Sequence, residues 1–169
     1  MSATSARTED RHRLRFRAIG EQDLEILYRV YASTRTDELN QTDWDEEQKE
    51  QFLRMQFNAQ HSHYQEHFGS AQFLLILEGG EPIGRLYVDR RPDEIRVIDI
   101  ALLPEHRRRG LGGALMRDLL DEGRGSGRAV RIHVEKFNPA LRLYRRLGFR
   151  AIEDQGVYLF MEWVPGAPD

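Results

Sequence analysis

The chain has 169 residues, no cysteine, 31% charged residues and a formal net charge of -3. That length suits one domain with its own hydrophobic core, covering residues 1–169 with 1–10 and 164–169 frayed. Without cysteine there is no disulfide, thiolate nucleophile or cysteine-ligated zinc, and without an apolar leader or a run of about 18 apolar residues the chain reads as soluble and cytoplasmic, with no membrane partner.

In chain order, "RLRFRAI" alternates Arg13, Arg15 and Arg17 with Leu14, Phe16 and Ala18, the period of a strand. "EQDLEILYRVYAS" sets Leu24, Leu27, Tyr28 and Tyr31 at helical spacing. A second helix is expected over "DEEQKEQFLRMQFNAQHSHYQEHF", with Phe52, Met55, Phe57 and Tyr64 turned partly inward. From Thr36 to Ser70 eight acids face only Lys49 and Arg54, either a solvated face or a surface that favours cations. His63 and His67 lie one helical turn apart, but no HExxH motif accompanies them and no metal site is expected. "QFLLILE", "IGRLYVDR" and "IRVIDIALL", joined by "GGEP" and "RPDE" turns, read as an antiparallel meander.

The third of these strands runs into "LPEHRRRGLGGALMRDLL", Leu103 to Leu120. A Walker loop is excluded because no Gly-x4-Gly-Lys-Ser/Thr run exists. A dinucleotide fingerprint fails because its sixth position is Leu115. Three arginines without a nearby aromatic make a weak nucleic-acid patch, so no nucleic-acid partner is expected. An anion seat fits better, since the first amides of the helix have no internal partner and the helix dipole adds positive potential. Glycines at 110, 112 and 113 let a bulky anion approach, and Arg107 to Arg109 strengthen the field. Leu111, Leu115 and Leu119 continue the helix, which Gly123 and Gly125 are expected to end.

"AVRIHVE" is a strand that puts His133 and Glu135 on one face, opposite Ile132 and Val134. In "NPALRLYRRLG", Asn138 suits the N-cap, Pro139 the first turn and Gly148 the C′ position. Ala140, Leu143, Tyr144 and Leu147 share its buried face. "FRAIED" and "VYLFMEWV" are two last strands. The order β-α-α-β-β-β-α-β-α-β-β predicts a mixed sheet covered by helices.

Arg107-x-x-Gly110-x-Gly112 after "IALLPEH", followed by "NPALRLYRRLGF" (Asn138 to Phe149), resembles the two signatures of the GNAT superfamily of acyl-CoA N-acyltransferases. The resemblance implies an α+β fold: a mostly antiparallel sheet with a splayed central strand pair and helices on both faces. It implies acetyl-CoA as cosubstrate, no metal, and transfer of an acetyl group (never an aminoacyl group) to a primary amine by direct attack in a ternary complex. Ile100, Ala101 and Leu102 would line the pantetheine arm, with the Leu102 amide facing the developing oxyanion. Arg107, Arg108, Arg109, Gly110, Leu111, Gly112 and Gly113 would cradle the pyrophosphate, unless Arg107 only braces the turn. Asn138 matches a residue that contacts the arm, although a cap role also explains it. Tyr144 matches the tyrosine beside the thioester sulfur, a general acid, or else is a core residue on the buried stripe. For the base, His133 stands where some relatives carry a glutamate, with Glu135 and Asp99 as alternatives; each has a structural reading too. The stretch Asp37 to Glu50 would border the acceptor, with Trp44, Phe57 and Tyr64 as wall candidates, although aromatics at that spacing also suit a core. Family members often form homodimers, and no interface is specified here. A non-catalytic acyl-CoA-binding module is the alternative function.

Overall fold

The computed structural model describes residues 14–166. The frayed ends expected at 1–10 and 164–169 lie outside them, apart from residues 164–166 after the last strand. In chain order the elements are β1 (Leu14–Ala18), α1 (Leu24–Ser33), α2 (Thr36–Leu39), α3 (Glu46–His67), β2 (Gln72–Glu78), β3 (Glu81–Arg90), β4 (Glu94–Leu102), α4 (Leu111–Ser126), β5 (Ala129–Glu135), α5 (Leu141–Arg146), β6 (Arg150–Gln155) and β7 (Tyr158–Trp163). The strands pair in the order β1-β2-β3-β4-β5-β7-β6, the mixed, mostly antiparallel α+β arrangement expected, with one unexpected helical turn, α2. Among the described residues no helix is long and apolar enough to cross a membrane.

The described chain divides into two compact units, one holding residues 14–86 plus Ala101–Arg107, the other Tyr87–Ile100 plus residues 108–166. In the first, Leu27, Tyr28 and Tyr31 of α1, Leu39 of α2, Leu53 and Phe57 of α3 and Leu75 of β2 form one apolar cluster. Phe57 meets the rings of Tyr28 and Tyr31, each at 6.0 Å between centroids. Met55, expected to turn inward, is 58% exposed, because two residues from Leu53 is about 200° around a helix. α3 begins with a capping box: Gln48 N–H donates to Asp45 (2.8 Å) and Asp45 N–H to Gln48 Oε1 (3.0 Å). At β3, a Cβ on Gly84 would collide with Ala101 O and would lie 2.9 Å from Leu102 Cδ2, so the strands approach there more closely than a side chain allows.

In the second unit, Val130, Ile132 and Val134 of β5 and Leu159, Met161 and Trp163 of β7 are buried on one face. α4 does not stop at Gly123 or Gly125, as expected from sequence, but runs to Ser126 with Gly127 as C-cap. Gly123 is a packing residue: a Cβ there would lie 2.8 Å from Arg128 O and 2.9 Å from Trp163 Cζ3. β4 and β5 pair in parallel only from Glu94↔Ala129 to Val97↔Ile132, and then the ladder stops. The paired end is pinned by charge. Glu94, 6% exposed, accepts from Arg91 (2.8 Å) and Arg131 (2.7 Å), and Arg131 also donates to Glu162 (2.8 Å).

Candidate active site

Beyond Val97 the last part of β4 has lost its parallel neighbour. Leu103 N–H still bonds to Ile83 O of β3 (2.8 Å), so the alternation of an extended strand turns the amides of Leu102, Ile100 and Ile98 the other way. Backbone donors and acceptors thus face the open side at the residues expected to line a pantetheine arm.

The chain then makes the turn Arg107 to Gly110. Arg107 donates Nε–H to Leu102 O (2.9 Å) and Nη2–H to Ser33 Oγ (3.0 Å), so its guanidinium ties the turn to the strand end and to α1. Arg108 has φ 63 and Gly110 φ 75. The left-handed region suits glycine but costs a non-glycine residue roughly 1–3 kcal/mol. Ala114 N–H is the donor that closes the first helical turn, onto Gly110 O, leaving the amides of Leu111, Gly112 and Gly113 without an intrahelical acceptor. No acid stands in the first turn of α4. A Cβ on Gly112 would meet nothing within 4 Å, so packing does not require that glycine, whereas one on Gly113 would crowd the end of Arg117 (3.2 Å) and touch Leu143 at ordinary contact distance (3.5 Å). Arg109, exposed, follows Arg108 on the same turn.

α5 does not begin at Asn138. Its N-cap is Ala140, and Asn138 uses its Oδ1 to accept the Ala140 N–H (2.9 Å), closing a turn ahead of the helix. The far end is as expected: Gly148 (φ 102) donates to Arg145 O (3.1 Å) and Phe149 N–H to Tyr144 O (3.0 Å). This Schellman pair sets Phe149 against Tyr144, their rings 5.8 Å apart. Tyr144 is 4% exposed, and burial, with the nearby charge of Asp99 adding to it, pushes its phenol well above the usual tyrosine range.

The four catalytic candidates do not converge. Asp99 continues the face of Ile95 and Val97, whose partners Val130 and Ile132 are buried beneath α4, and its charge reaches Tyr144. His133 and Glu135 point from the other face of β5. There His133 lies on Phe160 (4.6 Å, 19°) and its Nδ1 sits 2.6 Å from Arg96 Nη2. A guanidinium only donates, so Nδ1 accepts, and the single lone pair of the neutral ring is engaged. Partial desolvation, with the charge of Arg96, lowers the His133 pKa, while Gln155 and Glu153 oppose the shift. Arg96 itself stacks over Phe160 at 4.6 Å. Sequence reasoning did not find Arg96, Ser33 or Gly84, whose roles depend on contacts distant in the chain. His63 and His67 stack on each other at 4.2 Å, and among the described residues no group of three or more His, Cys, Asp or Glu side chains could hold a metal ion.

No curated protein matches the chain. Among solved structures it is similar to PaiA N-acetyltransferase from Thermoplasma acidophilum in complex with coenzyme A, at 18% identity and TM-score 0.66 over 89% of this chain and 98% of that one. It is also similar to an acetyltransferase from Thermus thermophilus, at 23% identity and TM-score 0.61 over 88% and 94%. Spermidine N-acetyltransferase from Vibrio cholerae, in complex with CoA and spermine, aligns at 17% identity and TM-score 0.58 over 90% and 96%. At these identities the likeness concerns the fold. The sequence pattern of the acetyltransferase (GNAT) family matches residues 28–149, which include the β4 end, the arginine-glycine turn, Asp99 and Tyr144, and the chain belongs to that family.

Proposed function

We propose that the protein is an acetyl-CoA-dependent N-acyltransferase acting on a primary amine. The observation that carries this reading is the sequence of three features along one stretch of chain: backbone released from β5 after Val97, a turn held by Arg107, and a helix start with free amides and no acid. The released backbone suits the amides of a pantetheine arm, and the helix start with Arg108 and Arg109 suits a pyrophosphate. Asn138 keeps its side-chain NH2 for the arm while its oxygen closes the turn.

The bound thioester supplies an activated acetyl carbon. The amine nitrogen attacks it, the N–C bond forms and the C–S bond breaks, with the Leu102 amide donating to the carbonyl oxygen as charge develops there. Tyr144 gives its proton to the departing thiolate, and its raised pKa keeps it protonated until then. Asp99, the carboxylate whose charge reaches Tyr144, takes the amine proton. Freeing an amine of pKa about 10.4 at pH 7 costs roughly 4.6 kcal/mol, which a nearby carboxylate offsets in part. His133 is left out because Arg96 engages its lone pair, and Glu135 because it points from the opposite face. Neighbours named as N-acetyltransferases, one of them in complex with CoA and spermine, support an amine acceptor.

Thermal shift with acetyl-CoA, followed by thiol release over a panel of amines, tests the reading. Stabilisation with thiol release is expected. Binding without release from any amine would leave a coenzyme-binding module, and absence of stabilisation would overturn both. Gly112→Asp places a carboxylate in the open space at the helix start and is expected to abolish coenzyme binding while the protein stays folded.

A further inference from the structure

The outer face of α3 carries an apolar groove apart from the β4 end, the turn and the helix start assigned to the coenzyme. Trp44, Gln48, Gln51, Phe52 and Met55 line it, around a volume of about 360 Å³. The Trp44 and Phe52 rings stand 5.1 Å apart, with Trp44 40% and Met55 58% exposed. Positions 48, 51, 52 and 55 form one helical stripe about 10 Å long, enough for about three residues of extended chain. A second cleft of about 200 Å³, lined by Tyr31, Arg35, Glu38, Leu39, Phe52 and Gln56, shares Phe52 with the groove and has room for one side chain.

The charge around the groove is mostly negative. Between Asp37 and Glu50 seven acids stand against Lys49 alone. Glu38, Glu46 and Glu50 pair with Arg35, Lys49 and Arg54, and Asp45 caps α3. Among the described residues no hydrogen bond or ion pair engages the exposed carboxylates of Asp37, Asp43 and Glu47. Asp43 adjoins Trp44, and Glu47 lies one helical turn before Gln51.

We propose that this surface docks an extended, basic segment of a partner protein. An apolar side chain of the partner sits against Trp44 and Met55, and lysine or arginine side chains meet Asp43, Glu47 and Asp37. The open, elongated groove fits a chain better than a small enclosed cation, and the acidic rim repels anionic lipid.

Trp163 is 4% exposed, so ligand-induced change at an exposed indole reports on Trp44. The probe is a blocked heptapeptide with a central leucine and three lysines on each side, titrated into the full chain while tryptophan emission is followed. A saturable blue shift is expected, absent in Trp44→Phe and absent with the glutamate counterpart peptide. The double variant Asp43→Asn, Glu47→Gln should bind about tenfold more weakly, and raising salt should weaken the wild type similarly. Circular dichroism checks that these surface variants fold. The proposal is overturned by no saturable shift, by an equal response to the glutamate peptide, by unchanged affinity in the folded double variant, or by a shift that depends on protein concentration without peptide, which would assign the groove to a second copy.

Discussion

Two properties of the Tyr144 environment act in the same direction. Burial, which desolvates the phenolate, and the charge of Asp99 both hold the proton on the ring, which suits a donor that must stay neutral until a thiolate leaves. Tyr144→Phe keeps the ring against Phe149 and removes only the hydroxyl, so turnover should fall by roughly 10²–10⁴-fold with coenzyme affinity nearly unchanged. Asp99→Asn should lower turnover, whereas Glu135→Gln should not. Steady-state kinetics with coenzyme titration checks both, and a full-speed Tyr144→Phe enzyme would return Tyr144 to the core. The alternation of β5 and the stripe of α5 were legible in sequence. The separation of Asp99 from His133 was not, because it depends on which face each strand presents to α4.

Among the elements, β2 (Gln72–Glu78) and β5 (Ala129–Glu135) match the sequence reading at both ends, because turn residues bound them. The end of α4 was misread because Gly123 looks like a helix stop. It is there to let α4 lie against Trp163, 40 residues later, which no local pattern reveals. Gly84 is a similar case. A methyl group there would push on Ala101 and Leu102, so Gly84→Ala should destabilise by about 1–3 kcal/mol, the usual range for overpacking. Because the displaced backbone is the stretch assigned to the pantetheine arm, KM for acetyl-CoA should rise as well. Denaturant melts with coenzyme kinetics check the pair of effects; loss of stability with an unchanged KM would separate Gly84 from the site.

The pH response of the whole molecule follows from the signs of the shifts. His61 and His133 have pKa values below the ordinary 6.5, each chiefly through burial, with Arg85 and Arg96 adding repulsion. The unfolded chain therefore takes up protons first as pH falls through 6.5, and folding stability declines there. Asp23, held below its ordinary 3.8 by Arg17, adds a further loss as pH falls through its lowered value. At the alkaline end Tyr144 keeps its proton when the unfolded tyrosine would lose it near 10, so stability falls again above that. Melting temperature should form a plateau between about pH 7 and 9. The double variant His61→Gln, His133→Gln should flatten the acid side, and an unchanged slope would mean the histidines are not its source.

The early end of the β4–β5 ladder also has a consequence for the protein without its cosubstrate. A strand that loses its neighbour halfway presents an edge inside a sheet, where other proteins present one only at the margin. The ion pairs of Glu94 clamp one end of that strand pair, so the amides of Ile98 and Ile100, which face the open side, should exchange with solvent deuterium far faster than that of Arg96, which faces β5. Adding acetyl-CoA should protect Ile100 while leaving Ile95 as it was. An interior edge of this kind would also make the unliganded chain the more aggregation-prone form, and stocks saturated with coenzyme should stay clear longer on warming.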